Sequence, residues 1–100
     1  MNPIIKKLKS KKEQELFRRC DEIIHYIWDP VGSKDIPLAR DEYYGYLPQI
    51  FTLLKNGADK VKISDHLSNL ENTSFGMNPN SDRNKEVAEL LIETKEALFD

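Results

Sequence analysis

Apolar residues recur at three- and four-residue steps over most of the chain, which is the spacing of helices with one buried face. The first stripe follows Ser10 and Glu13, which have the spacing of a capping box, and it stops at Asp29, because Pro30 disfavours a helical conformation for the residue before it. The stripe comprises Leu16, Phe17, Cys20, Ile23, Ile24, Ile27 and Trp28. We therefore predict a first helix between Ser10 and Asp29.

A loop and a proline-containing helix are predicted next. Residues 31–37 have the glycine, serine, aspartate and proline content of an ordered loop. A second helix is expected from near Pro37 to Lys55, closed by Gly57 in the left-handed conformation that glycine adopts easily. Pro48 removes one helical hydrogen bond, so it predicts either a kink between residues 44 and 47 or two short helices, the second with Pro48 in its first turn. The expected buried side comprises Tyr43, Leu47, Ile50, Phe51 and Leu54.

Two further helices complete the predicted fold. The third starts at residues 58–59 and buries Ile63, Leu67 and Leu70. Residues 72–81 predict a surface connection pinned to the core by Phe75 and Met77, and Ser81 or Asp82 is expected to cap a last helix. The last stripe comprises Val87, Ala88, Leu91, Ile92 and Leu98, with Glu86, Glu89, Glu93 and Glu96 facing outward. The predicted fold is an all-α, compact bundle of four main helices, with the second helix kinked or split near Pro48.

Composition and charge restrict the class of protein. One hundred residues give one helical domain over residues 1–100, with residues 1–9 a basic lead-in. No apolar run reaches the ~20 residues of a membrane span, and the lone Cys20 makes no internal disulfide, so we expect a cytoplasmic protein with Cys20 packed in the core. The net charge is +5 over residues 1–19 and −7 over residues 20–100. The acidic body suits a basic partner and disfavours direct nucleic-acid binding.

No residue set in the sequence is typical of an enzyme. The two histidines, His25 and His66, lack the spacing of metal ligands, and no glycine-rich loop is present to hold a phosphate. The carboxylates Asp41 and Glu42 are adjacent on a helix and therefore point apart, so they cannot flank one substrate. We predict no catalytic residues, no metal and no cofactor.

The segment from Trp28 to Phe51 carries the strongest signal for binding, because it holds every tyrosine but one. Tyrosine offers apolar area and a hydroxyl at a small cost in rotamer entropy, which suits protein recognition. Trp28 and Tyr43 fit core positions, whereas Tyr44 and Tyr46 are better placed for the surface. The predicted partner-binding residues are Asp29, Asp35, Arg40, Asp41, Glu42, Tyr44 and Tyr46.

The same segment supports a family resemblance. The stretches WDPVG, IPLARDEYYGYLPQIFTLL, KNGA and SNLENTSFGM resemble a family of small bacterial helical proteins with a WDPxG…ARDEYxxYxxxI pattern, over roughly residues 16–98. Some members of that family look like immunity proteins paired with contact-dependent or other polymorphic toxins. The resemblance implies an all-α fold, and it places eight residues on the pattern: Trp28, Asp29, Pro30, Gly32, Arg40, Asp41, Glu42 and Tyr43.

Three functions are compatible with these observations. The leading hypothesis is an immunity protein that neutralises a toxin encoded by a neighbouring gene, such as a basic nuclease domain, by covering its active site or substrate groove. The second is a helical interaction or regulatory protein without a toxin partner. The third is a small hydrolase or nucleic-acid binder that uses His66 or the N-terminal lysines, and the absence of the required residue sets disfavours it.

Overall fold

The structure is a computed structural model that describes residues 10–29 and 45–99, and within these residues it is an all-α bundle. The α-helices are α1 (Lys11–Glu22), α2 (Leu47–Lys55), α3 (Lys60–Asn69) and α4 (Ser81–Phe99). Two π-helices extend α1 and α3 and cover Ile23–Trp28 and Leu70–Ser74. The all-α prediction is confirmed. The predictions for the loop at residues 31–37 and for a helical start near Pro37 lie outside the described residues.

The start of α1 has the predicted serine cap. The Ser10 hydroxyl accepts hydrogen bonds from the backbone amides of Lys12 and Glu13 at 3.2 and 3.4 Å. The Glu13 carboxylate reaches across to the Lys55 ammonium, with 3.0 Å between Oε1 and Nζ. Glu13, three residues after the cap, therefore ties the beginning of α1 to the end of α2.

The end of the first helix differs from the prediction, because residues 23–28 form a π-helix. The Asp29 amide donates to the Ile24 carbonyl five residues back, at 3.0 Å. Successive residues turn less in a π-helix than in an α-helix, and this smaller rotation moves Trp28 fully into the core and Ile27 out of it. The prediction of a buried Ile27 is wrong, since the side chain is 52% exposed. The other six residues of the stripe are buried as predicted.

Pro48 lies in the first turn of α2, where its missing amide hydrogen costs no helical bond. The predicted position of Pro48 in the first turn of a helix is confirmed, whereas the preceding short helix predicted from near Pro37 lies outside the described residues. The apolar side of α2 is buried as expected at Leu47, Ile50, Phe51 and Leu54. The helix ends at Lys55 with Asn56 as its C-cap, and Gly57 has a φ of +80°, the left-handed conformation predicted for it.

Helix α3 begins after Asp59, whose side chain accepts from the Lys62 amide at 2.8 Å. Its predicted apolar residues Ile63, Leu67 and Leu70 are buried. The predicted surface connection begins at residue 72, whereas the second π-helix continues to Ser74, with the Phe75 amide donating to the Leu70 carbonyl at 3.1 Å. The partial burial of Phe75 against the core agrees with its predicted pinning role.

The cap of α4 is one residue earlier than predicted. The Asn80 side chain accepts from the Arg83 amide at 3.1 Å, and the Asn80 carbonyl accepts from the Asn84 amide at 2.9 Å. Ser81 is therefore the first residue of the helix and Asn80 its cap. Val87, Ala88 and Leu91 are buried on the helix, with Ile92 and Leu98 half-buried against the core.

The core lies where all four helices meet and contains residues from every helix. The Phe17 and Phe51 rings pack edge to face, with 5.3 Å between their centroids. Cys20 is fully buried, and burial raises the pKa of its thiol to about 12, with a smaller contribution from the Asp21 carboxylate. The thiol is a packed core group, as predicted.

In residues 10–29 and 45–99 no helix has the length and apolarity to span a bilayer.

Candidate functional site

Two of the seven predicted partner-binding residues, Asp29 and Tyr46, lie in the described part of the chain. The other five lie in residues 30–44, outside the described residues: Asp35, Arg40, Asp41, Glu42 and Tyr44. Asp29 and Tyr46 lie on either side of that segment. The structure therefore describes the surroundings of Asp29 and Tyr46 and not of the other five residues.

An aromatic cluster of Trp28, Tyr46 and Phe75 joins the described residues on the two sides of residues 30–44. The Trp28 and Tyr46 rings both pack edge to face against Phe75, at centroid distances of 6.0 and 5.3 Å. Edge-to-face pairs of this kind contribute roughly 0.5–1.5 kcal/mol beyond the area they bury. The cluster therefore connects the end of the first π-helix, at Trp28, with the residue before α2, Tyr46, through Phe75.

Asp29 and Tyr46 are less exposed than the sequence suggested. Asp29 is 9% exposed and has a φ of +31°, in the left-handed region that Asp adopts more readily than most residues. It forms the turn that ends the helix. Tyr46 is half-buried because its ring packs on Phe75, and the rest of its surface faces outward. Trp28 is fully buried, which is the core position that its sequence favoured.

A buried polar network lies directly under the aromatic cluster. The Trp28 Nε1–H donates to Asn84 Oδ1 at 2.8 Å, and Asn84 Nδ2 donates to Glu71 Oε1 at 2.6 Å and to Ser68 Oγ at 2.9 Å. Asn84 is fully buried, and all three hydrogen bonds use a different donor or lone pair of its amide group. The Arg83 guanidinium also donates to the Trp28 carbonyl, at 3.4 Å. The network therefore fixes Trp28 to both α3 and α4.

Helix α4 presents an acidic face to solvent. Its five carboxylates are exposed and follow one another at alternating steps of four and three residues: Asp82, Glu86, Glu89, Glu93 and Glu96. This spacing places them on one side of the helix, opposite the buried residues Val87 and Leu91. Among the described residues the only cation paired with this face is Lys60, with 3.3 Å from its Nζ to Glu89 Oε2. Both side chains of that pair are about half exposed, so the pair is weak.

An open apolar groove lies between α2 and α3. It is lined by Pro48, Gln49, Thr52, Leu53 and His66 and has a volume of about 390 Å³. His66 Nε2 is buried and has no hydrogen-bond partner among the described residues, and burial lowers the pKa of this imidazole. The described lining contains no carboxylate, and its one hydroxyl, that of Thr52, donates to the Pro48 carbonyl at 2.8 Å. Within the part of the chain that the structure describes, no three His, Cys, Asp or Glu side chains are grouped as metal ligands.

Sequence reasoning missed two groups of residues. Tyr26 and Ile27 are each about half exposed, because the π-helix rotates the predicted stripe. Asn84 and Glu71 were not recognised as buried, because polar residues at these positions resemble any solvated helix surface. A pattern with the α-helical period of 3.6 residues does not reveal a π turn. The hydrogen-bond partners of Asn84 lie on other helices, so only the tertiary structure shows them.

The chain was also compared with known proteins. No family model, curated protein or solved structure matches it.

Proposed function

We propose that this protein is an immunity protein, which binds a toxin encoded by a neighbouring gene and covers its active site or substrate groove in the cytoplasm. The toxin would be a basic domain, such as a nuclease. The observation that carries the proposal is the acidic face of α4, which runs along most of a 19-residue helix and points away from the core. Under this proposal the protein acts by binding and carries out no reaction.

Physical chemistry links this face to a basic partner. A nuclease that holds a phosphate backbone presents Lys and Arg side chains along its substrate groove. A row of carboxylates on a rigid helix is complementary to such a groove, and complementary charge accelerates association several-fold or more. The acidic sum of −7 over residues 20–100 acts in the same direction.

Two further observations support a binding role. The WDPVG and ARDEY stretches resemble a bacterial family in which some members look like immunity proteins. The partner-binding residues predicted in residues 30–44 lie in the sequence between Trp28 and Tyr46, and the rings of both of these residues pack on Phe75.

The test is co-expression of the protein with the toxin candidate encoded beside it, followed by measurement of cell survival, Kd and association rate. We expect survival and co-purification with the wild-type protein. We also expect loss of protection when Asp41 and Tyr44 are both changed to alanine. A protein that neither binds the neighbouring gene product nor protects cells would contradict the proposal and favour a regulatory interaction protein.

The contribution of the α4 face is tested by two variants with the same change in net charge. Glu86→Gln with Glu93→Gln removes two negative charges from the face, and Gln14→Lys with Asn69→Lys adds two positive charges at exposed positions on α1 and α3. We expect the first variant to slow association by ~3–10-fold at low salt and the second to have a smaller effect. Equal effects would show that net charge acts without any specific face.

A further inference from the structure

A cleft with a volume of about 320 Å³ lies between α3 and α4. Its described lining comprises Lys60, Val61, Ser64 and Asp65 from α3 and Lys85 from α4. Ser64 is buried, whereas the other four residues are exposed. The volume is at the lower end of the ~300–1,000 Å³ range of small-molecule sites, so a ligand of this cleft would be small.

The Ser64 hydroxyl is the group that indicates a ligand. Thr52, Thr73 and Thr94 each donate their hydroxyl to the carbonyl four residues back, at 2.8, 2.6 and 2.7 Å. Ser64 is only 5% exposed, yet it forms no such bond with Lys60 or with any other described residue. Its oxygen is not one of the enclosed side-chain atoms that lack a hydrogen bond in the described chain. The hydroxyl is therefore open to the cleft and can both donate to and accept from a bound molecule.

The charges of the lining are one free cation and one free anion beside an ion pair. Lys60 Nζ lies 3.3 Å from Glu89 Oε2, and together these two side chains are neutral. Lys85 and Asp65 form no ion pair with each other or with any other side chain in residues 10–29 and 45–99. The cleft therefore offers a hydroxyl, an ammonium and a carboxylate that have no partner among the described residues.

The surroundings of the cleft disfavour a ligand that carries only negative charge. Asp82 and Glu86 are exposed on α4 within one turn of Lys85, and both repel an anion. The acidic sum of −7 over residues 20–100 acts in the same direction. A positive group on the same ligand offsets this repulsion, because Asp65 and the α4 carboxylates attract it. A ligand that carries only positive charge would instead meet the two lysines of the lining. The charges therefore favour a small zwitterion.

We propose that this cleft binds a free α-amino acid. The carboxylate of the amino acid accepts hydrogen bonds from the Ser64 hydroxyl and the Lys85 ammonium, and its ammonium group donates to the Asp65 carboxylate. An apolar side chain on the amino acid covers Val61, which is 66% exposed. This site goes beyond the proposed function and does not depend on a toxin partner.

The test is titration of the full-length protein with L-leucine, followed by backbone amide NMR shifts. We expect saturable shifts in residues 60–65 and 85–89 with a Kd of about 0.1–10 mM, because the charged contacts are exposed to solvent. N-acetyl-L-leucine lacks the ammonium and L-leucinamide lacks the carboxylate, so each should bind at least about fivefold more weakly. Absence of saturable shifts, equal binding of the three compounds, or tighter binding of inorganic phosphate would overturn the proposal.

Variants of the lining test the role of each group. Ser64→Ala and Lys85→Gln should each weaken L-leucine binding by at least about fivefold. Lys62→Gln removes the same charge at an exposed position on α3 outside the cleft lining, and it should change the Kd by less than about twofold. Asp65→Asn should weaken binding of L-leucine and leave that of N-acetyl-L-leucine unchanged. The emission of Trp28, the single tryptophan, reports whether each variant is folded.

Two results with folded variants would contradict the proposed contacts. Unchanged binding by Ser64→Ala would show that the hydroxyl does not contact the ligand. Equal losses in Lys85→Gln and Lys62→Gln would show a general effect of charge without a defined site.

Discussion

At the scale of single residues, Asn84 shows how one polar side chain can organise a core. Asn84 Oδ1 accepts a hydrogen bond from the Trp28 indole N–H, and Asn84 Nδ2 donates to Glu71 and Ser68. The side chain thereby provides hydrogen-bond partners for the buried indole and the buried carboxylate. A leucine at position 84 would continue the apolar stripe of α4 but would leave the indole and the carboxylate without this partner. A buried polar group without a hydrogen bond costs more than a well-made bond contributes.

Replacing Asn84 with alanine is expected to lower the free energy of unfolding by about 2–4 kcal/mol, since the Trp28 indole and the buried Glu71 carboxylate both lose this partner. The measurement is urea unfolding followed by Trp28 emission. Asn72→Ala, at an exposed position on the second π-helix, is the matched control and should change stability by less than about 0.5 kcal/mol. A similar loss in the two variants would argue against the network.

His66 gives the protein a pH dependence at the residue scale. Burial lowers the pKa of its imidazole in the folded state below the ordinary value of 6.5. The unfolded chain therefore takes up a proton first as the pH falls, so stability decreases from just above pH 6.5 down to the lowered folded pKa and the contribution is constant below it. We expect NMR titration of the His66 ring to give a pKa below 6.5.

A His66→Gln variant assigns the His66 signal and provides the stability control. Its unfolding midpoint should vary less between pH 7 and pH 5 than that of the wild-type protein. A His66 ring that titrates at or above 6.5 would show that the groove between α2 and α3 does not desolvate it.

At the scale of elements, the residue before a helix determines where the helix begins. Backbone amides of the first helical turn donate to the side chains of Ser10 at α1, Asp59 at α3 and Asn80 at α4. The two π-helices are not set locally, because nothing in residues 23–28 distinguishes them from an α-helical stripe. They form where a large residue, Trp28 at the first and Phe75 after the second, packs into the shared aromatic cluster.

The turn between α2 and α3 depends on the conformation of one glycine. Gly57 has a φ of +80°, and Gly57→Ala should destabilise the protein by about 1 kcal/mol because a Cβ disfavours that conformation. Gly45→Ala is the control: an added Cβ there meets no atom within 4 Å, and Gly45 is not among the positive-φ glycines. Thermal unfolding of the two variants measures the difference. A loss of stability that is equal at both positions would exclude the conformational explanation.

At the scale of the whole molecule, the sequence by itself determined the all-α fold, the helix starts to within two residues for α1, α3 and α4, and most of the apolar faces, because periodicity, caps and turn residues act over four or five positions. Only the tertiary structure decided that Ile27 is exposed, that Asn84 and Glu71 are buried, and that Trp28 and Tyr46 meet at Phe75. These features depend on contacts between residues far apart in the chain, such as Trp28 and Asn84, 56 positions apart. The candidate site shows the same division: the sequence indicates the tyrosine-rich segment and the outward glutamates of α4, whereas the exposure of Ile27 depends on the π-helix that places Trp28 in the core.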